Sequence, residues 1–338
     1  MLTLGIETSC DETSVSISEG TIVLSNIVSS SVHLHKIYGG VVPEIASRFH
    51  VEYAIEVLSK ALDLSGKKLG DMKLVAVTNG PGLVGALLVG ISVAKSIAYS
   101  LDLPLVGVNH ILAHLYSAFL NDKTCRPDFP FVGLVVSGGH TALFLCDGIG
   151  RQRLLGQTQD DAVGEAFDKV AKLLGLGYPG GPIIEKTARS SKGVNRIKFP
   201  KSFMGKDSLD FSFSGIKTAV LYYARDKRVQ NKELIADICR AFQEAALDVL
   251  VEKALLACEM NKIKKIVIGG GVAANSVLRK KFSEAAGYSG TKVYFPEIGY
   301  CMDNAAMIGA LGEELYKRGC RDNLYLTAKA NLEVTGAE

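Results

Sequence analysis

The stretch "PFVGLVVSGGHTALFL", residues 130–145, is an apolar strand, a small-residue turn and a second apolar strand. It restates the pattern that opens the chain, where "MLTLGIETSCDETSVSIS" occupies residues 1–18. Apolar runs on both sides of a small-residue turn predict paired strands. Outward from the first turn, the sequence predicts strands at 2–7, 13–18 and 22–28, a helix at 43–62, a strand at 74–78, a helix at 84–101, a strand at 105–108 and a helix at 110–120. Outward from the second, it predicts strands at 131–136, 141–146 and 153–157, then helices at 160–174 and 181–190. A helix at 232–260, a strand at 264–268, a helix at 273–286, a strand at 291–295 and a helix at 302–318 complete it. Both halves read βββαβαβα, the second carrying an insertion near 160–232.

Strands alternating with helices require crossover connections and a mostly parallel core sheet. The expected class is therefore a duplicated, two-lobed α/β fold, with ligands at strand ends and helix starts. The lobes are expected at 1–120 and 121–304, with the segment near 305–338 packing back on the first.

Composition fits a globular chain of 338 residues, 48% hydrophobic and 22% charged. Apolar runs such as "GALLVGISVAKSIAYSL" are broken by Gly, Ser and Lys, so none reads as a membrane span. Strand patterning begins directly after Met1, so no targeting segment is expected, and the seven cysteines contain no C-x-x-C pair. A reducing, cytoplasmic setting is expected. From Lys192 to Lys232 ten Lys or Arg stand against three Asp, a net +7. That run is either a solvated face or a footprint for nucleic-acid phosphates.

Three turns carry the chemistry of a nucleotide site. "GIETSCDETS" is too acidic to cradle a phosphate, so Asp11 or Glu12 would handle a metal-linked or protonated group. "VVSGGHT" places Gly138 and Gly139 where backbone N–H groups can approach an anion. "IVIGGGVAANSVLRKK" is a strand–glycine–helix junction, neither a P-loop nor a G-x-G-x-x-G turn. A fourth stretch, "VNHILAHL", sets His110 and His114 one helical turn apart, with both imidazoles on one face. It approaches the H-E-x-x-H signature of zinc peptidases, but position 111 is Ile rather than the Glu that would act as base. "HLH" at 33–35 and His50 read as structural.

On these motifs the chain resembles the bacterial TsaD family of tRNA threonylcarbamoyltransferases, within the actin, sugar-kinase and Hsp70 superfamily. The resemblance extends through "YGGVVPEIASRFH", "GPGLVGALLVG", "DDAVGEAFDKVAKLLGLGYPGGP", "DFSFSGIKT" and "CMDNAAMIG". It implies transfer of the threonylcarbamoyl group of threonylcarbamoyl-adenylate to N6 of the adenosine 3′ of the anticodon in ANN-decoding tRNAs, forming t6A and releasing AMP. It implies one divalent metal, Zn²⁺ or Fe²⁺, held by His110, His114 and Asp303 between the lobes. It also implies an adenylate lying across Val135, Val136, Ser137, Gly138, Gly139, Asp168, Gly181 and Asn275, with Glu185 at the ribose. Asp11 is the candidate for orienting the amine, with Glu12 beside it, and Lys198, Lys201 and Lys206 are candidates for tRNA phosphates. The tyrosine ligand of the archaeal and eukaryotic branch is replaced here by Val135. Implied partners are tRNA and, if the chain is bacterial, the paralogous actin-like subunit TsaB and the P-loop ATPase TsaE; mitochondrial members are homodimers. A metallopeptidase and a non-catalytic ATP-binding scaffold are the alternatives.

Overall fold

The computed structural model describes residues 1–121, 127–193, 196–202, 204–205, 207–226 and 231–334. By internal packing the chain divides into two units, 1–127 with 148–152 and 296–338, and 128–147 with 153–295.

The first unit is built on strands β1 (Leu2–Glu7), β2 (Glu12–Glu19) and β3 (Ile22–Ser30), a short helix α1 (Val32–His35), and helix α2 (Pro43–Ser65). Strand β4 (Leu74–Gly80), helix α3 (Val84–Leu101), strand β5 (Leu105–Asn109) and helix α4 (His110–Tyr116) follow. The second unit holds β6 (Phe131–Val136), β7 (Thr141–Gly148), β8 (Arg151–Gln157), α5 (Val163–Leu173), α6 (Gly180–Arg189), α7 (Ser214–Asp226) and α8 (Lys232–Asn261). It ends with β9 (Lys265–Gly269), α9 (Ser276–Ser289) and β10 (Lys292–Tyr294), after which α10 (Ala305–Lys317) belongs to the first unit.

The strand orders are β3-β2-β1-β4-β5 and β10-β9-β6-β7-β8. The two orders match strand for strand, with β6 standing in the place of β1. In each sheet the first strand is antiparallel to the second and parallel to the fourth. The duplication expected from the two turns is therefore present in the hydrogen bonding.

β4 is buried along its whole length, as a central strand covered on both faces must be. On one face Leu4, Ile6, Val15 and Ile17 meet Val57 and Ala61 of α2 and Leu87, Ile91 and Ala94 of α3. α10 covers the other face through small residues. A Cβ on Gly5 would lie 2.3 Å from the Ala305 carbonyl oxygen, and one on Gly312 would lie 2.4 Å from the Ala76 Cβ. α3 is long and apolar enough to cross a membrane by length and composition alone, yet it buries Ala86, Leu87, Ile91 and Ala94 in this core.

α7 was not expected, because the basic loop-like composition around it hides its apolar face. Its start is organised from far away: Asp160 accepts hydrogen bonds from the Ser212 and Ser214 hydroxyls and from the Phe213 and Ser214 amides.

Candidate metal centre and nucleotide-facing turns

β5 ends at Asn109, whose side chain accepts from the Leu112 amide and so caps α4. That cap makes His110 the first helical residue and aligns His114 one turn later. The rings stand edge-to-face with centroids 4.6 Å apart. Asp303 immediately precedes α10, whose first amides are held from three directions. Asn304 accepts from Met307, Ser14 accepts from Ala305, and Asn26 accepts from Ala306. Docking of α10 on the sheet thus delivers Asp303 to α4. Its Oδ1 lies 3.2 Å from His114 Nε2 and 3.7 Å from His110 Nε2. All three side chains belong to the first unit, because the chain re-enters it before Asp303. The expectation that Asp303 would reach the site from the second lobe is corrected by that return.

The donor set fits a borderline divalent cation. One ligand atom from each of His110, His114 and Asp303 falls within 4.8 Å of the others. His114 is 1% exposed, and among the described residues neither of its ring nitrogens has a hydrogen-bond partner. A buried imidazole without a hydrogen bond is costly; Nε2 has the Asp303 carboxylate 3.2 Å away but no hydrogen bond to it, and a metal between them would satisfy that nitrogen. Two imidazoles and a carboxylate suit Zn²⁺ or Fe²⁺ and leave coordination positions open.

Glu7 was not singled out in the sequence beyond its acidity. It ends β1 and is fully buried, with Oε2 accepting from the Thr78 hydroxyl at 2.6 Å and facing His110 Nδ1 at 3.0 Å. Burial alone would raise its carboxyl, but the His110 imidazole and the Thr78 hydroxyl hold it below the usual range. Burial works in the opposite sense on His110, and Glu7, then Asp303, lift that imidazole to about 9. The only advance signal was an acid at the end of a central strand, where none would be expected without a partner.

Asp11 sits in the turn after β1 and Glu12 opens β2, both buried. Burial, then the negative charges of Asp303 and Asp11, push the Glu12 carboxyl well above the usual carboxylate range. Burial, then Asp11 and Asp303, raise the Cys10 thiol in the same way, which keeps it from acting as a thiolate. The turn is fixed by its carbonyls. His50 Nε2 lies 3.0 Å from the Cys10 oxygen, and the Ser31 amide and hydroxyl both donate to the Asp11 oxygen at 2.9 Å. His35 stands behind Ser31 at 3.0 Å, so His35 and His50 brace this turn.

In the second unit the nucleotide candidates assemble around the ends of β6 and β9. Gly270, at φ +97°, passes so close to Val136 that a Cβ would lie 2.4 Å from its carbonyl oxygen. Gly164 approaches the Ser137 oxygen and Gly180 the Phe167 oxygen just as tightly. A Cβ on Gly138, Gly139 or Gly181, by contrast, would meet no described atom within 4 Å. The first three glycines serve packing; the last three leave backbone open to a ligand. Val135 and Val136 are fully buried strand residues, so only their backbone is available there.

The polar candidates are already engaged. Asp168 accepts from the Gly180 amide at 2.6 Å, fixing the start of α6. Glu185 accepts from Ser276 and pairs with Arg189 at 2.6 Å. Asn275 is the N-cap of α9: its Oδ1 accepts from Val277 and Leu278, and its Nδ2 donates to Gln243. Its side chain is thus held by the fold. Among the tRNA candidates Lys198 is exposed. Lys201 is held by Asp248 at 2.8 Å and Glu252 at 2.7 Å, and Lys206 lies outside the described residues.

Comparison with known proteins agrees with this architecture. HypF from T. kodakarensis aligns over 94% of this chain and 48% of its own, with a TM-score of 0.62 at 15% identity. The activator of the 2-hydroxyisocaproyl-CoA dehydratase from Clostridium difficile, solved with bound ADPNP, covers 94% of both chains with a TM-score of 0.50 at 17% identity. These likenesses place the chain in the duplicated actin-like class of α/β folds. The family model for TsaD, tRNA N6-adenosine threonylcarbamoyltransferase, matches residues 22–310. The tRNA N6-adenosine threonylcarbamoyltransferase of Dictyoglomus turgidum is 50% identical over 334 residues, 98% of each chain. That of Syntrophus aciditrophicus is 48% identical over 341 residues, covering 100% of this chain and 99% of its own. The chain belongs to the TsaD family, and it is a transferase that modifies tRNA.

Proposed function

We propose that this chain transfers the threonylcarbamoyl group from threonylcarbamoyl-adenylate to N6 of the adenosine 3′ of the anticodon in ANN-decoding tRNAs, forming t6A and releasing AMP. The observation that carries the reading is the convergence of His110, His114 and Asp303 on one point, in a chain of this family. A divalent cation held there, Zn²⁺ or Fe²⁺, would act as a Lewis acid on the activated carbonyl or the departing phosphate. A cation bound there would displace the Nε2 proton of His110, so that His110 and His114 present nitrogen donors while Asp303 offsets charge. Gly138, Gly139 and Gly181 offer open backbone to the adenylate, between the Ser137 turn and the Asp168 and Glu185 anchors. Asp11 orients the weakly nucleophilic amine, with Glu12 beside it. Positioning dominates, since oriented groups reach effective molarities of roughly 10⁵–10⁸ M. Lys198 and other cations of the basic run neutralise tRNA phosphates. The setting is cytoplasmic, with TsaB-like and TsaE-like proteins as partners or a second copy of the chain in their place.

The test combines purified chain, threonylcarbamoyl-adenylate and tRNA, with and without added metal. Modified adenosine and AMP should form in equal amounts. His114→Ala should lose bound metal and turnover together, and Asp303→Asn should lose less metal, since its amide oxygen still coordinates without charge. Wild-type turnover and metal content in His110→Ala and His114→Ala would overturn the assignment.

A further inference from the structure

We propose that Glu7 is a positioning residue that selects which nitrogen of His110 carries its proton, and so aims the other at the metal. The inference rests on the metal reading above and goes beyond the three ligands. Every group around the Glu7 carboxylate is a donor. The Ser9 amide donates to Oε1 at 2.5 Å, and the Thr78 hydroxyl donates to Oε2 at 2.6 Å. His110 Nδ1 lies 3.0 Å from Oε2 and 3.2 Å from the Ser9 hydroxyl; a carboxylate only accepts whereas the hydroxyl can rotate to accept too, so Nδ1 carries a hydrogen. In the neutral ring that binds a metal, the Nε2 lone pair is then the one that faces His114 and Asp303. The ring cannot exchange roles by flipping, because it starts α4 and is 5% exposed. A buried carboxylate at the end of a central strand costs several kcal/mol without partners. Three donors offset that cost here.

Glutamine at this position has the same shape and the opposite consequence. The Ser9 amide needs an acceptor, so the Gln carbonyl oxygen would take the Oε1 place. The amide NH₂ would then face His110 and donate to Nδ1. The imidazole would shift its hydrogen to Nε2 and withdraw the lone pair from the site. Partners that fix the tautomer of a metal-binding histidine are worth roughly 10–100-fold in metal affinity.

The experiment has two parts. In the zinc-loaded full-length chain, NMR of the imidazole nitrogens should find His110 protonated at Nδ1; an unprotonated Nδ1 overturns the proposal without any mutation. In Glu7→Gln, Zn²⁺ and Co²⁺ affinities should fall about 10–100-fold, with the melting temperature of the metal-free protein checked in parallel. Thr78→Val removes a donor from the same carboxylate but leaves the Glu7–His110 pair, so its affinity should stay within a few-fold of wild type. Wild-type affinity in a folded Glu7→Gln overturns the role of Glu7 alone. Failure of the wild-type chain to bind either ion, with no loss in His114→Ala, overturns the metal reading and this inference with it. If Glu7→Gln does not fold, the nitrogen assignment in wild type and the Thr78→Val affinity decide the matter.

Discussion

Gly312→Ala tests how α10 delivers Asp303. The added methyl would lie 2.4 Å from the Ala76 Cβ and 3.3 Å from Val108 Cγ2. Ordinary carbon contacts are about 3.5–4.0 Å, so α10 must lift by ~1 Å or β4 must yield. β4 is packed on both faces, which leaves the helix to move. Overpacking of this kind costs about 1–3 kcal/mol, while Ala in place of Gly inside a helix returns about 1 kcal/mol. The net effect of the single variant is therefore a modest destabilisation of roughly 0–2 kcal/mol. A double-mutant cycle removes that ambiguity. Ala76→Gly deletes the opposing methyl, so the pair should be more stable than the sum of the singles by about 1–2 kcal/mol. Because the chain has no Trp, unfolding is followed by circular dichroism. Zn²⁺ titration is the second readout: Gly312→Ala should weaken binding although position 312 lies ~13 Å along the helix from Asp303 at 1.5 Å per residue, and Ala76→Gly should restore it. Additivity within about 0.5 kcal/mol, or unaltered metal affinity in the single variant, refutes the reasoning.

Other outcomes follow from the same geometry. Asn275→Ala should cost about 0.5–2 kcal/mol of stability as a lost N-cap, measured by denaturation, and should change nucleotide affinity only as far as α9 moves. Glu313 is buried, a condition that by itself raises its carboxyl, but Lys317, the Gly20 amide and the N-terminus hold it below its ordinary 4.5. Its stabilisation is complete above pH 4.5 and is lost as pH falls through the depressed folded value. Glu313→Gln should therefore lower the melting temperature at neutral pH and flatten the decline at acid pH. Lys198→Glu should reduce the salt slope of tRNA binding by about one or more. Lys201→Glu should chiefly loosen its contact with α8, since its ammonium already faces two carboxylates; equal slope changes in both would refute that distinction.

The order of strands and helices was legible because hydrophobic period is a local property. Alternation marked β1 and β2, and continuous apolar runs marked β6, β7 and the start of β4. The four-residue spacing of His110 and His114 was legible for the same reason, since one helical turn aligns them wherever the helix sits. α7 escaped because its local composition is that of a charged loop, and the residue that organises its start, Asp160, is distant in sequence. Asp303 could be linked to the histidines only through family resemblance. Nothing local in "CMDNAA" says that it reaches α4.

Tertiary structure alone decided which polar side chains are available. Glu7 read as one acid among three near the first turn, yet the parallel pairing of β1 with β4, and of β4 with β5 that leads into α4, makes it the partner of His110. Asn275 and Lys201 read as groups free for ligands, yet one caps α9 beside Gln243 and the other lies between Asp248 and Glu252. Sequence carries the donor and acceptor inventory of every residue and the period that sorts its faces. Which donor meets which acceptor depends on segments far apart in the chain coming within about 3 Å, and that is settled only when the two sheets and their helices are packed.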